Sequence, residues 1–286
     1  MKVPPKKLFM ARLFSICGLG HLCAGGQRLF LRKGHIRAVY YHETVHRHLP
    51  RFEEHLRFYR RRYDGVSIED FHRFFASGCW DKNRPGLIIS FDDGLRSNFQ
   101  TAPLLEAYGF TGWYMVPPAF VDTPPAEQAE FARSHQINLR QQYEDGRVAM
   151  SWDELRTLAQ SHVVCCHTGT HMRMRADLSR QVLHREIVES KGLLEKRLGR
   201  PVDTFCWVGG EEDTYTSQAA QLIRQAGYRY AFMTNNCPIT PRTHPLQLQR
   251  TYVHPTWPLD VVAFQVCGAM DLLYARKRRR VNRITA

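Results

Sequence analysis

Leu87-Ile88-Ile89-Ser90-Phe91-Asp92-Asp93-Gly94 is the stretch on which the reading of this chain turns. A short, mostly apolar run of this kind reads as a buried strand. It leads directly into two carboxylates and a glycine, and Gly94 permits a backbone turn that other residues resist. Neighbouring side chains on an extended backbone point in different directions, so one carboxylate can bind a cation while the other faces a water attached to it. Taken alone, Asp-Asp-Gly is equally a helix cap, with Asp92 or Asp93 accepting from the first turn of the segment that follows.

Working outward, the same arrangement recurs: an apolar run, a polar or glycine-containing turn, then a helical pattern. Ile36 to Tyr41 reads as a strand, followed by a helix carrying Phe52, Leu56 and Tyr59 on one side. Ser67 caps a second helix reaching Ala76, with Asp70 three residues on. After Gly94 a helix places Leu95, Phe99, Ala102 and Leu105 on one face, with a kink at Pro103 and a stop at Gly109. Residues 111 to 116 form the next strand. Pro117 to Gly146 is polar and proline-broken and reads as an inserted loop or lid. Ser151-Trp152-Asp153-Glu154 is a capping-box pattern, and Val163 to Cys166 a buried strand. One long helix runs from Ser179 to Leu198. Strands around Thr204 to Val208, Tyr228 to Thr234 and Leu246 to Val253 follow, and a last helix spans about Leu259 to Tyr274. The rhythm is that of an α/β domain.

The strand ending at Cys166 opens into His167-Thr168-Gly169-Thr170-His171. Two imidazoles four residues apart aim at one point on a helix or a tightly curved loop, and Gly169 favours the loop. With a carboxylate they make an Asp-His-His set suited to zinc and several other divalent metals, with positions left open for water and substrate. Among 14 histidines an isolated pair of this spacing is also found by chance. Cys165 and Cys166 are nearby soft donors, but their strand context points to packing, as it does for Trp113 and Trp207.

Together, Phe91-Asp92-Asp93-Gly94 and His167-Thr168-Gly169-Thr170-His171 resemble the polysaccharide deacetylases, the chitin-deacetylase-like carbohydrate esterase family four. Tyr41-His42 at an early strand end and Pro103 to Phe110 in the helix-to-strand step behind the first motif extend the resemblance over about residues 36 to 256. It implies a distorted, incomplete (β/α) barrel with the site at the C-terminal ends of the strands. It implies that Asp93, His167 and His171 bind a divalent metal, with zinc first and cobalt, nickel, iron or manganese as alternatives, and that Asp92 is the general base. The reaction implied is removal of the N-acetyl group from a sugar of a polysaccharide, glycolipid or lipid-linked precursor. Gly209 stands where an N–H would stabilise the oxyanion, and His254 where a general acid is expected, with His42 competing for that role. The family's arginine and proline are replaced at Cys206 or Trp207 and at Val208. That departure keeps two alternatives open: metal-assisted cleavage of another amide, including deformylation, and a carbohydrate-binding pseudoenzyme.

The chain holds 40 Lys and Arg against 27 Asp and Glu, a formal net charge of +13, with basic residues gathered at both ends. This divides it into a basic N-terminal segment, 1–35, a catalytic domain, 36–272, and a basic C-terminal tail, 273–286. Such ends suit peripheral contact with an anionic membrane, although a solvated tail fits equally well. Nucleic acid is not an expected partner, because no zinc-finger spacing, RNP motif or basic zipper is found. Eight cysteines with no C-x-x-C pair favour a reducing compartment. Arg12 and several glycines interrupt the apolar run from Leu8, arguing against a transmembrane span and a cleaved leader. The expected location is cytoplasmic, at the inner membrane face.

Overall fold

The computed structural model describes residues 3–16 and 34–286; Lys2 and residues 17–33, which carry most of the run weighed above as leader or span, lie outside the described residues. No described helix is long and apolar enough to cross a membrane.

Among the described residues nine strands form one sheet in which the strands pair with one another in parallel: β1 (Ile36–Tyr41), β2 (Asp64–Gly65), β3 (Gly86–Phe91), β4 (Gly112–Val116), β5 (Val163–Cys166), β6 (Thr204–Cys206), β7 (Tyr230–Met233), β8 (Leu248–Gln249) and β9 (Thr251–Tyr252). Their order is β8-β7-β6-β5-β4-β3-β1-β9, with β2 added beside β3. The two outermost strands are separated in sequence by Arg250 alone. Val39–Tyr40 of β1 pairs with β9 while Phe232–Met233 of β7 pairs with β8, so residues 248–252 step from one edge of the sheet to the other and bring it almost to closure. The expected distorted (β/α) barrel is the observed architecture.

Alternation along the strands separates two cores. Ile88 joins Ala38, Trp113, Met115, Cys165, Cys206, Phe232 and Leu248 inside the barrel, closed at its lower end by Phe71 and Phe74 of helix Ile68–Ser77 and by Trp80. Leu87, Ile89 and Phe91 point outward onto a ring of helices through Phe52, Leu56, Leu155, Leu183 and Ile223. The expected capping boxes form at Ser67 with Asp70 and at Ser151 with Glu154, and Cys165, Cys166, Trp113 and Trp207 are buried as anticipated.

Four elements differ from the sequence expectation. The 117–146 insertion is folded: helices Pro118–Asp122 and Pro125–Ser134 bury Phe120, Ala132 and Ile137 against Leu95, Val148 and Ala149 in a small core of their own. The expected single strand over 246–253 is broken at Arg250, whose backbone N–H turns to Met233 O, 2.8 Å. The long helix from Ser179 has a π-helical segment, Arg185–Glu189, at its middle. The last predicted helix stops at Val266, shortly before Gly268 adopts φ 94, and a separate helix, Ala275–Ile284, follows. That helix is docked rather than free: Val281 is fully buried and Arg278 donates to the carbonyls of Asn235 and Asn236.

Candidate metal centre and catalytic site

Of the expected active-site residues, His42, Asp92, Asp93, His167 and His254 lie one or two positions past the end of a strand, at the upper mouth of the barrel, whereas Gly209 lies three and His171 five positions beyond one. Asp92 N–H donates to Tyr41 O at 2.9 Å and His167 N–H to Val116 O at 2.9 Å, prolonging the β1–β3 and β4–β5 ladders by one residue. Past those points the backbone turns sharply. Asp93, Thr168 and His171 all take left-handed φ, at 75°, 61° and 64°. For residues with a Cβ such conformations cost about 1–3 kcal/mol each and survive only where the surroundings enforce them.

The enforcing contacts are specific. Glu186, fully buried at the π-helical segment, accepts from Thr170 N–H at 2.8 Å and from Thr170 Oγ1 at 3.0 Å. A Cβ at Gly169 would stand 3.2 Å from the Glu186 carboxylate, so a small residue is needed for the loop to approach. Thr168 Oγ1 accepts from Met172 N–H, and Ala119 N–H donates to Gly169 O. The one-residue irregularity in the helix thus aims a carboxylate at the histidine loop.

The two imidazoles have fixed tautomers. His167 Nδ1 lies 3.0 Å from Cys206 O and His171 Nδ1 lies 2.7 Å from His135 O. A carbonyl only accepts, so each Nδ1 carries the proton and each Nε2 presents a lone pair. Both lone pairs face the same carboxylate oxygen: Asp93 Oδ1 is 3.7 Å from His167 Nε2 and 3.1 Å from His171 Nε2, and it is buried without a hydrogen-bond partner. Three ligand atoms converging on one point, all within 4.8 Å of one another, make a candidate group for a divalent cation. Burial holds the pKa of His167 down at about 4. Burial disfavours charge on Asp93 as well, yet its contact with His171, whose pKa it raises in turn, outweighs burial and keeps the carboxyl well below its usual range; a cation bound there would take the place of a proton on His171.

Asp92 faces the barrel interior and is held differently. Arg250 donates to both of its oxygens, at 2.6 and 3.0 Å, and also to Ser90 Oγ at 3.0 Å and Cys206 Sγ at 2.8 Å. Its guanidinium lies 4.6 Å from the centre of the Tyr40 ring. Arg250 is the residue of this candidate site that sequence reasoning missed. The arginine absent from the segment around Cys206 is supplied, in space, by the residue that closes the sheet, and it reaches across to touch Cys206 itself. Its signal was an arginine at the place where the alternation of Leu246, Leu248 and Tyr252 calls for an apolar side chain, where a charge needs a buried partner.

His42 packs edge-on between Tyr40 and Tyr252, at 5.6 and 5.5 Å. His254 is buried; its Nδ1 contacts Thr256 Oγ1 at 2.8 Å, and Arg140 Nη1 donates to its Nε2 at 2.8 Å. Arginine only donates, so that nitrogen carries no proton in this arrangement. Burial, reinforced by Arg140, pulls the pKa of His254 down to about 3. Arg140 belongs to the insertion, as does His135, so this segment touches one residue of the histidine pair and the expected acid. Gly209 lies three residues beyond Cys206 with φ 86, beside Glu211 and Arg173. A cavity of about 290 Å³ lined by Ser67, His72, His162 and Asp203 opens at the opposite end of the barrel, away from the carboxylates.

Known structures share this architecture. A Streptococcus pyogenes deacetylase, PplD, solved in complex with acetate, is 16% identical with a TM-score of 0.63, covering 81% of this chain and 97% of that one. IcaB from Ammonifex degensii is 17% identical, TM-score 0.59, covering 83% and 97%. The deacetylase domain of BpsB from Bordetella bronchiseptica is 16% identical, TM-score 0.59, covering 78% and 97%. At these identities the likeness is one of fold. No curated protein sequence matches the chain. The family model described as polysaccharide deacetylase matches residues 81–231, more than half of the chain and inclusive of both motifs, and the chain belongs to that family.

Proposed function

We propose that the chain is a metal-dependent hydrolase that removes the N-acetyl group from an N-acetylated sugar of a polysaccharide, glycolipid or lipid-linked precursor. The observation that carries this reading is the pairing of two unlike carboxylates: Asp93 turned toward two imidazole lone pairs with no donor of its own, and Asp92 gripped by Arg250 beside it.

Asp93 and the Nε2 atoms of His167 and His171 would hold one divalent cation, zinc suiting the donors best and cobalt, nickel, iron or manganese competing for them. Bound there, the cation supplies Lewis-acid polarisation of the acetamide carbonyl and lowers the pKa of water. The remaining work falls to the chain. Arg250 occupies one lone pair on each Asp92 oxygen and leaves others open, so Asp92 is held in place to accept a proton from the attacking water. The oxygen adds to the carbonyl carbon, and the Gly209 N–H is the proposed donor to the resulting oxyanion. Protonation of the sugar nitrogen then lets the C–N bond break, giving acetate and a free amine. His254 is the proposed acid once Arg140 has left its Nε2 and that nitrogen has taken up the proton passed on from Asp92; the Arg140 contact favours His42 as the alternative.

Arg250 also weighs against the pseudoenzyme alternative, since the arginine that seemed lost around Cys206 is present in space. The test is acetate release from a panel of N-acetylated oligosaccharides and glycolipids by zinc-reconstituted protein, with Asp92→Asn and His167→Ala beside it. Metal-dependent release lost in both variants supports the reading. Tight metal binding with no release from any substrate overturns it.

A further inference from the structure

The charge of this molecule has an unusual distribution. Residues 1–33 contain seven Lys and Arg and residues 275–286 contain six, with no Asp or Glu in either stretch, and together they equal the whole net charge of +13. The intervening chain is balanced. Exposed large apolar side chains follow the same pattern. Among the described residues they are Phe9, Met10 and Leu13 at one end and Leu259, Leu272 and Leu273 toward the other, with Phe9 66% and Leu272 83% exposed.

Helix Pro5–Ile16 packs along helix Leu259–Val266, burying Ala11 completely, placing Lys7 over the Trp257 ring at 4.1 Å and bringing Arg12 within 3.9 Å of Asp260. A helix apolar on one side needs one cover; this one is apolar on both, and only one side is covered by the domain. Whatever covers the other side must accept Phe9, Met10 and Leu13 while tolerating a concentration of positive charge. A second copy of the chain fails the latter requirement, because it would bring two basic ends together. The interface of an anionic phospholipid bilayer meets both, taking aromatic and aliphatic side chains into its acyl boundary and cations at its headgroups.

We infer that helix Pro5–Ile16, with the Leu272–Leu273 turn and the basic helix after it, is a docking surface for an anionic bilayer. The placement has a bearing on the site: Trp257, under Lys7, donates its backbone N–H to His254 O at 3.0 Å, so the membrane-facing helix adjoins the loop that carries His254. The chain thus lies peripherally on an anionic leaflet, the position its basic ends suggest from sequence. This inference is independent of the hydrolytic chemistry.

Flotation of the full chain with vesicles of phosphatidylglycerol and phosphatidylcholine, against vesicles of phosphatidylcholine alone, tests it. The intact chain is expected to float with the anionic vesicles and to be partly released by salt. Because Phe9, Met10 and Leu13 are exposed, the triple serine variant should keep its melting temperature and lose affinity by about a hundredfold. Replacing exposed Arg276 and Arg279 with Gln should cost roughly fivefold each and flatten the salt dependence. Failure of the intact chain to float overturns the inference, as does unchanged binding by the triple variant. So does self-association in solution that the triple variant abolishes, which would assign the apolar side to a second copy.

Discussion

Asp92 and Asp93 are neighbours in sequence, both almost fully buried, and live in opposite surroundings. Asp92 continues the strand, with its side chain in the barrel interior and both oxygens taken by Arg250. Asp93 leaves the strand through a left-handed turn, faces the histidine loop and has a buried oxygen with no donor. One is over-determined and the other incomplete. Each state depends on a different part of the barrel: the Asp92 side rests on the closing segment 248–252, the Asp93 side on a loop held by the π-helical segment. Side chains one residue apart can therefore be altered independently.

The largest effect is expected where the incomplete side is emptied. Asp93→Ala should abolish both metal binding, read by calorimetry, and acetate release; retained stoichiometric zinc would contradict the ligand assignment. On the other side, Asp92→Asn should lower acetate release by about 10²–10⁴-fold while leaving metal binding nearly unchanged. Arg250→Met should act through Asp92. It leaves a buried carboxylate without its counter-ion, at about 3–5 kcal/mol of stability in urea titrations, and lowers turnover with little change in zinc affinity. An equal loss of metal affinity would show that the two sides are not separable. Glu186→Gln, which weakens the hold on the Thr170 N–H, should loosen the histidine loop and reduce metal affinity by about 10–100-fold with a smaller change in melting temperature.

The smallest effect concerns the insertion. Glu43 is buried, accepts from Gln141 N–H at 3.1 Å, and burial raises its pKa from 4.5 to about 7. Between those values the folded chain holds a proton that the unfolded chain has released, so this group makes stability fall as pH rises from about 5 to 7 and level off above. Glu43→Gln keeps an acceptor and removes the titration. Its melting temperature should match the parent near pH 5 and exceed it by a few degrees near pH 8; a constant difference across that range would exclude this origin.

Most strands of the sheet, though not the short β2 or the break at Arg250, the helix caps and the Asp-Asp and His-His motifs were legible because each is written in a local pattern of period, cap or spacing. Arg250 was not, because its role depends on closure: β9 pairs with a strand more than 200 residues earlier, and no window around residues 246–253 reveals that partner. The π-helical segment was invisible for a related reason. Ser179 to Leu198 carries a sound helical pattern, and the slip that aims Glu186 at Thr170 answers a contact outside it. The insertion was read as irregular because its prolines stand at helix starts, where proline is tolerated, and its core draws half of its residues from flanking segments.

Arg250 also ties the chemistry to the order of synthesis. Asp92 leaves the ribosome 158 residues before its counter-ion, and until then its carboxylate has no guanidinium to pair with and the barrel has an open side. The segment that shuts that side carries the charge that pairs with Asp92, so the nascent polypeptide acquires a closed sheet and an oriented Asp92 carboxylate in a single late event. A growing chain that has made both recognition motifs still lacks that pairing, which becomes a property of the finished barrel.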